Sequence, residues 1–343
     1  VRVGTYNIGA GNEEASTEEN FERTRGLIAD EIVHGGSEVI NLQEVGVDGR
    51  LTGGRDNNQE ILESVFVEEL GDEWRDADLS RVSLDEDGKP VRDDDNQPVY
   101  DPEAYADTRV TATNDEGQRR NMDVTRQRYN DQGEPVDWSE GPAQGHVVSY
   151  EAEAAPGKNY TLVFGSSSDG GTYGNGVLLA PGHEVTDVER RVLGQDDPDN
   201  GDDEYRTALG VTFTTPGGQT VSTVSAHLTN GQQESRGNNR NDQYHALDDF
   251  VEDLHQDDRP VIVGGDFNSR AGGQYAKEWY DALPFIDPPR HPSAGDLGWN
   301  DPDRDNNSID RLYTVGGVEV GDRQDYEGQG GSDHDYVAWD VAV

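Results

Sequence analysis

Apolar and polar residues alternate from Val1 to Ile8, and this two-residue period predicts a half-buried strand. From Glu18 to Val33 the period changes. Phe21, Leu27, Ile28, Ile32 and Val33 recur at helical spacing, and Gly35-Gly36 closes the run. A short apolar strand is expected at Val39–Leu42, stopping at Gln43-Glu44. Gln59–Leu70 predicts a second helix with Ile61, Leu62, Val65, Phe66 and Leu70 on its apolar face. Strand character returns at His146–Tyr150, Tyr160–Phe164 and Gly176–Leu179, then in a hairpin of Arg206–Thr214 and Gln219–Ser225 around Pro216-Gly217-Gly218. A third helix over Asn238–Leu254 buries Tyr244, Leu247, Phe250, Val251 and Leu254 and leads into a strand at Val261–Val263. Strands at Arg311–Val315 and Tyr336–Val341 finish the chain. Both halves mix strands with helices, which predicts a layered β-sandwich flanked by helices.

The stretch from about residue 85 to 142 breaks this pattern. It is rich in Asp, Gly, Pro, Asn and Gln, with Asp93-Asp94-Asp95 in its midst. Too few apolar residues are present for a separate core, so an acidic surface insertion in a single domain spanning residues 1–343 is expected. No repeat at a fixed period is apparent. The acidic loops are candidates for Ca²⁺, although their spacing does not match a helix–loop–helix calcium site.

Charge changes the picture. The chain has 71 Asp and Glu against 27 Lys and Arg, a formal net charge of -44. Such a surface repels itself in dilute buffer, and salt screens the repulsion. Only Lys89, Lys158 and Lys277 are lysines, and the apolar fraction is 31%. Together these features point to adaptation to high salt. Disorder, the competing reading of high charge with low hydrophobicity, conflicts with recurring apolar runs such as Val261-Ile262-Val263. The absence of cysteine excludes disulfides, thiol nucleophiles and Cys-based metal sites. No apolar stretch approaches the ~20 residues of a membrane-spanning helix. A chain that enters a strand at Val1 is compatible with a removed signal peptide, so secretion is expected, with a high-salt cytoplasm as the alternative. The expected state is a monomer with no stable protein partner.

Five polar segments each follow or precede a predicted strand: Thr5-Tyr6-Asn7, Gln43-Glu44, Ala226-His227 with Asn230, Gly265-Asp266-Phe267-Asn268, and Ser332-Asp333-His334. They supply the carboxylates, amides and imidazoles that a divalent-metal phosphoester hydrolase uses. Glu44, breaking surface at the end of a buried strand, is a candidate metal ligand. Asp266 and Asn268 can point to one side with Phe267 facing the core, offering one charged and one neutral oxygen to a hard cation. Mg²⁺ is expected, with Mn²⁺ as an alternative. His334 is the candidate general base, because an imidazole with a pKa of about 6.5 is neutral yet basic near neutral pH. Asp310 is available to fix its tautomer, and Asp333 to bind the metal or its water shell. His227 can donate to a phosphate oxygen or assist the leaving group. Asn7 can donate to the same phosphate or orient Asp266. Weaker substrate-contact candidates are Tyr173 and Asn175 in a glycine-rich stretch, and Arg236, Arg240 and Arg270, which can engage phosphate bidentately or neutralise acidic neighbours.

In this order and spacing, the segments, joined by Tyr173-Gly174-Asn175-Gly176 and Ile309-Asp310-Arg311, resemble the endonuclease/exonuclease/phosphatase superfamily. The resemblance runs from Val3 to Trp339, with the acidic region after Asp85 as a departure. It implies a DNase I-like α+β fold, a four-layered α/β/β/α sandwich of two packed mixed β-sheets flanked by helices. It further implies that Glu44, Asn7 and Asp333 hold the catalytic Mg²⁺, with Asp266 beside them. Asp310 would orient His334 to activate water. Asp266 and Asn268 would position water and phosphate, and His227 would stabilise the pentacovalent transition state or help the leaving oxygen. Attack is then in line, without a covalent enzyme intermediate. His227 with Asp310-Arg311 favours the DNase-like and genotoxin-subunit-like branch, although no acidic partner for His227 is identifiable. DNA is the first expectation for substrate, high salt muting its repulsion by an acidic protein. A phosphatase or phospholipase C-type hydrolase of a small or lipid phosphoester is the alternative.

Overall fold

The computed structural model describes residues 1–9, 17–46, 56–100, 107–136, 146–167, 173–195, 205–229, 234–268, 309–327 and 329–343, with the backbone alone for 234–241. In chain order the first half contains β1 (Arg2–Asn7), α1 (Glu18–Val33), β2 (Val39–Gly46), α2 (Asn57–Leu70), β3 (Asp78–Ser83), β4 (Thr108–Thr113), β5 (Arg119–Tyr129), β6 (Pro135–Val136), β7 (Val147–Ala155) and β8 (Lys158–Ser166). The second half contains β9 (Tyr173–Leu179), β10 (Glu184–Gln195), β11 (Tyr205–Thr214), β12 (Thr220–His227), α3 (Glu234–Leu254), β13 (Val261–Asp266), β14 (Asp310–Val315), β15 (Glu319–Tyr326) and β16 (Tyr336–Ala342).

These strands form two mixed sheets. One has 11 strands in the order β15-β16-β1-β2-β9-β8-β7-β5-β4-β3, with β6 on β5, and the other has 5 in the order β10-β11-β12-β13-β14. Each sheet has a parallel pair near its centre, β1 with β2 and β12 with β13. Parallel neighbours cannot be joined by a hairpin and need a crossover. The crossovers here are α1 and α3, and they set the outer layers. Phe21, Ile28 and Ile32 of α1 and Ile61, Leu62 and Phe66 of α2 pack on Tyr6, Leu42 and Phe164 of the large sheet. Tyr244, Leu247 and Phe250 of α3 pack on Val224, Val263 and Tyr313 of the small one. Between the sheets lie Val39, Val163, Val177, Leu209, Ile262, Leu312 and Trp339. The result is the four-layered α/β/β/α sandwich.

The region expected to be a surface insertion is different. Within residues 107–136 it supplies β4, β5 and β6, and Val110, Ala112, Met122 and Val124 are buried in the large sheet's helix-facing core. Its acidic and glycine residues build hairpin turns. Asp85-Glu86-Asp87-Gly88-Lys89-Pro90-Val91, Asp93-Asp94-Asp95-Asn96-Gln97-Pro98-Val99 and Asn130-Asp131-Gln132-Gly133-Glu134-Pro135-Val136 are three copies of one turn. In each, the first side chain accepts backbone N–H bonds from the residues two and four ahead, at 2.8–3.0 Å. The fourth residue takes a positive φ: Gly88 70°, Asn96 61°, Gly133 76°. The Oδ1 atoms of Asp85 and Asp93 are thus committed to backbone amides, which weakens the expectation of Ca²⁺ there.

Gly133 is the most constrained of these positions, since an added Cβ would lie 2.3 Å from the Val188 carbonyl oxygen of β10. Gly133→Ala is expected to destabilise the protein by about 1–3 kcal/mol, from left-handed strain and that contact. Denaturant unfolding at fixed salt measures it; no change would mean that the turn is not docked on β10.

Candidate active site

The sheet topology brings the polar segments to one rim. Asn7, Glu44, His227 and Asp266 lie at or near the C-terminal ends of β1, β2, β12 and β13. His227 is in register with Asp266, and Asp266 with Asp310, the first residue of antiparallel β14. His334 precedes β16, which runs antiparallel to β1, so it arrives at the same end.

Local backbone features aim the side chains. A β-bulge interrupts the pairing of β2 with β9 between Leu42 and Val45, and Glu44 within it has φ 57°. Bulges re-aim a side chain without ending the strand. Gln43, before the bulge, turns between the sheets. Its Nε2 donates to Thr5 Oγ1 at 3.2 Å and to Ser225 Oγ at 3.0 Å, and Ser225 Oγ donates to the Leu42 carbonyl at 2.8 Å. This buried polar floor couples the sheet carrying Asn7 and Glu44 to the sheet carrying His227 and Asp266. Gly265 has no room for a side chain, because a Cβ would lie 2.1 Å from the Ala226 carbonyl oxygen. Phe267 anchors the segment, stacked on Tyr244 with centroids 6.0 Å apart and edge-on to Tyr313 at 4.8 Å.

At the centre, Asn7 Nδ2 donates to Glu44 Oε1 at 3.1 Å and to Asp266 Oδ2 at 3.0 Å, while Asn7 Oδ1 accepts from the Gly9 N–H at 3.0 Å. The amide spaces the two carboxylates. His334 Nδ1 lies 2.9 Å from Asp310 Oδ2, and its Nε2 lies 3.7 Å from Asp266 Oδ2. From the other side His227 Nε2 comes within 3.6 Å of Asp266 Oδ2 and 3.9 Å of Glu44 Oε1. Two imidazoles and two carboxylates thus converge on one small volume.

The electrostatics follow from burial of this much charge. Asp266 is 1% exposed, and burial, then the neighbouring Asp310 charge, push its pKa up to about 7. Burial disfavours the charged form of His334, but the hydrogen bond to Asp310 and the charges of Asp310, Asp266 and Asp333 outweigh it and raise the pKa to about 9. His227 is held well below the ordinary imidazole value by burial, then by the charges of Arg206 and His334.

The donor set fits a hard divalent cation. Glu44 and Asp266 present carboxylate oxygens to the same amide, and Asp266 is buried beside the further carboxylate of Asp310. Asp266, Asp310 and His334 also have ligand atoms within 4.8 Å of one another. There Asp310 and His334 Nδ1 hold each other, whereas Glu44 and Asp266 flank the Asn7 amide and are the carboxylates that would hold a cation.

Other expected residues fall in distinct places. Asp333 is exposed at the rim, where the adjacent Ser332 Oγ donates to the Asn7 carbonyl at 2.7 Å. Asn268 donates Nδ2 to the Leu228 carbonyl, and its N–H goes to Asp266 Oδ1, both at 2.8 Å. Its backbone N–H therefore fixes the Asp266 carboxylate, and its side-chain amide ties the strand end to Leu228. Asn175, expected at substrate, is 2% exposed and donates to the Thr207 carbonyl at 2.8 Å, tying β9 to β11 across the sandwich. Tyr173 starts β9 opposite Gly46, next to the Glu44 bulge. Arg236 and Arg240 lie on α3, where only the backbone is described, and Asn230 and Arg270 lie outside the described residues. One residue was not foreseen. Arg206 Nη1 lies 3.1 Å from His227 Nδ1, the position where an acidic partner was sought.

A two-sheet sandwich with a carboxylate–imidazole rim defines a phosphoester hydrolase class of fold and site. The endonuclease/exonuclease/phosphatase family model matches residues 4–334, and the chain belongs to that family, whose members are metal-dependent phosphoester hydrolases. Solved structures share the fold at low identity. The mannosyl-6-phosphatase of Bacteroides thetaiotaomicron is 10% identical with a TM-score of 0.51, covering 100% of both chains. An endonuclease/exonuclease/phosphatase from Beutenbergia cavernae is 15% identical at TM-score 0.51, covering 100% of this chain and 71% of that one. The human nocturnin catalytic domain is 15% identical at TM-score 0.50, covering 100% and 94%. No curated protein sequence matches the chain. Among the described residues, no helix is long and apolar enough to cross a membrane.

Proposed function

We propose that this protein is a Mg²⁺-dependent phosphodiesterase that hydrolyses DNA, working in high salt outside the cell. The observation that carries the reading is the convergence of His334 and His227 on the Asp266 carboxylate from opposite sides, at 3.7 and 3.6 Å, beside Glu44. With Nδ1–H held by Asp310, neutral His334 presents the Nε2 lone pair and can take a proton from water. His227, on the other side, can contact the phosphoryl oxygens. Glu44 and Asp266 would hold a divalent cation, which would supply Lewis-acid stabilisation of negative charge growing on those oxygens.

The charge balance at this rim favours a diester. Glu44, Asp266, Asp310 and Asp333 gather there, and a phosphodiester brings one negative charge where a phosphomonoester near neutral pH brings close to two. The net charge of -44 opposes any polyanion in dilute buffer, and salt relieves that repulsion.

Plasmid DNA, RNA and a phosphomonoester, compared across salt concentrations with Mg²⁺, Mn²⁺ or Ca²⁺, test the proposal. The expected result is plasmid nicking that needs Mg²⁺ or Mn²⁺, stops in chelator and improves with salt. Rapid phosphate release from the monoester, with intact plasmid at every salt concentration, would transfer the same chemistry to a phosphatase.

A further inference from the structure

The two histidines of the rim are backed by opposite chemistry. Behind His334, Nδ1 meets the Asp310 carboxylate at 2.9 Å. A carboxylate accepts, so when the ring is neutral its proton sits on Nδ1 and Nε2 offers a lone pair. Behind His227, Nδ1 meets Arg206 Nη1 at 3.1 Å, and both residues are buried. A guanidinium has donors only and stays charged, so the ring nitrogen facing it must accept. The proton of the neutral imidazole then sits on Nε2, which faces Asp266 Oδ2 at 3.6 Å and Glu44 Oε1 at 3.9 Å.

We propose that Arg206 is a positioning residue that locks His227 in its Nε2–H tautomer, making His227 a fixed hydrogen-bond donor to a non-bridging phosphoryl oxygen rather than the acid that protonates the leaving group. This rests on the phosphoester-hydrolase reading of the site. It divides the work between two like side chains according to the group behind each. Water loses a proton to His334 Nε2 and its oxygen forms the new P–O bond as the ester P–O bond breaks. The departing oxygen takes its proton from solvent, because His227 keeps its own. A preorganised donor of this kind stabilises charge that develops only in the transition state, so it acts on kcat more than on KM.

The test uses the full chain with ¹⁵N-labelled histidine, free of metal, in high salt. Long-range ¹H–¹⁵N spectra at neutral pH report which ring nitrogen carries the proton. In the wild type, His227 is expected to show bare Nδ1 and protonated Nε2. Arg206→Met removes the donor while keeping much of the stem. It is expected to give a mixed tautomer and to lower kcat by about 10–100-fold with little change in KM. Arg206→Lys retains a donor and is expected to restore the tautomer and most of the rate. A wild-type His227 protonated on Nδ1, or on both nitrogens, would overturn the proposal, and that spectrum requires no variant to fold. An unchanged tautomer and kcat in Arg206→Met would overturn it too. Failure to hydrolyse any phosphoester would remove the functional reading but leave the wild-type spectrum interpretable, so the two failures are distinguishable.

Discussion

Replacing His334 with alanine is expected to lower kcat/KM for phosphodiester hydrolysis by about 10²–10⁴-fold, the usual contribution of a positioned general base. The argument rests on its two nitrogens. Nδ1 is fixed by Asp310 at 2.9 Å, which leaves Nε2 facing the centre of the site. Asp310→Asn should bring much of the same loss, because an amide can offer its NH₂ to Nδ1 and reverse the ring. The pH profile gives a second readout. A base must be neutral to act, and without metal the His334 pKa is raised to about 9. Activity should therefore climb with pH through an ionisation that lies below about 9 once a cation adds positive charge, and His334→Ala should lose that limb. Stability has the opposite slope. A folded-state pKa above the unfolded value of about 6.5 gives stabilisation that is complete below about pH 6.5 and lost as pH rises through about 9. His334→Ala should thus cost stability at mildly acidic pH and little at high pH. An alanine variant with wild-type rates across the pH range would remove His334 from the chemistry.

The sequence pattern was most legible where burial is apolar. The helix expected over Glu18–Val33 occupies those residues, and the hairpin expected around Pro216-Gly217-Gly218 joins β11 to β12. It was least legible where buried positions are polar or a strand lies at an edge. On β5, Met122 and Val124 are followed at the same inward parity by Arg126 and Arg128, all buried. Arg126 is stabilised by Asp56 of the α2 N-cap at 3.4 Å, so an ionic contact replaces the apolar alternation that would have marked the strand. β10 and β15 sit at sheet edges with mostly solvent-facing polar residues, and β10 buries little beyond Val188, Arg190, Leu193 and its flank. The three copies of the Asx-x-x-Gly/Asn-x-Pro-Val turn were visible in principle, but they are not evenly spaced and a search for a period passes over them. At the site, strand-end placement singled out residues that share one rim. The Glu44 bulge and the Arg206–His227 contact depend on backbone conformation and on a neighbouring strand, and neither leaves a mark in one-dimensional spacing.

Mg²⁺ is expected to raise the melting temperature more at about pH 8 than at about pH 5.5, with ionic strength held constant. Asp266 carries the argument. Its folded-state pKa is raised to about 7, against an ordinary aspartate value of about 3.9. Between those values the folded protein keeps a proton that the unfolded chain has released. Stability from this group is therefore greatest below about pH 4, declines as pH rises towards about 7, and stays at its lower level above. Above that range the buried carboxylate is a net cost that a cation shared with Glu44 would offset. Below it, the cation must displace the proton and binds less well. Metal at about 100 times its dissociation constant adds about 2.7 kcal/mol, a rise on the order of 5 °C for a chain of this size. Asp266→Asn removes the buried charge, so the metal-free variant should melt higher than wild type at about pH 8 and lose the Mg²⁺ response. The control at constant ionic strength matters because a chain of net charge -44 is stabilised by any salt. An equal Mg²⁺ shift at both pH values, or an undiminished shift in Asp266→Asn, would mean that the cation acts on the acidic surface and not between Glu44 and Asp266.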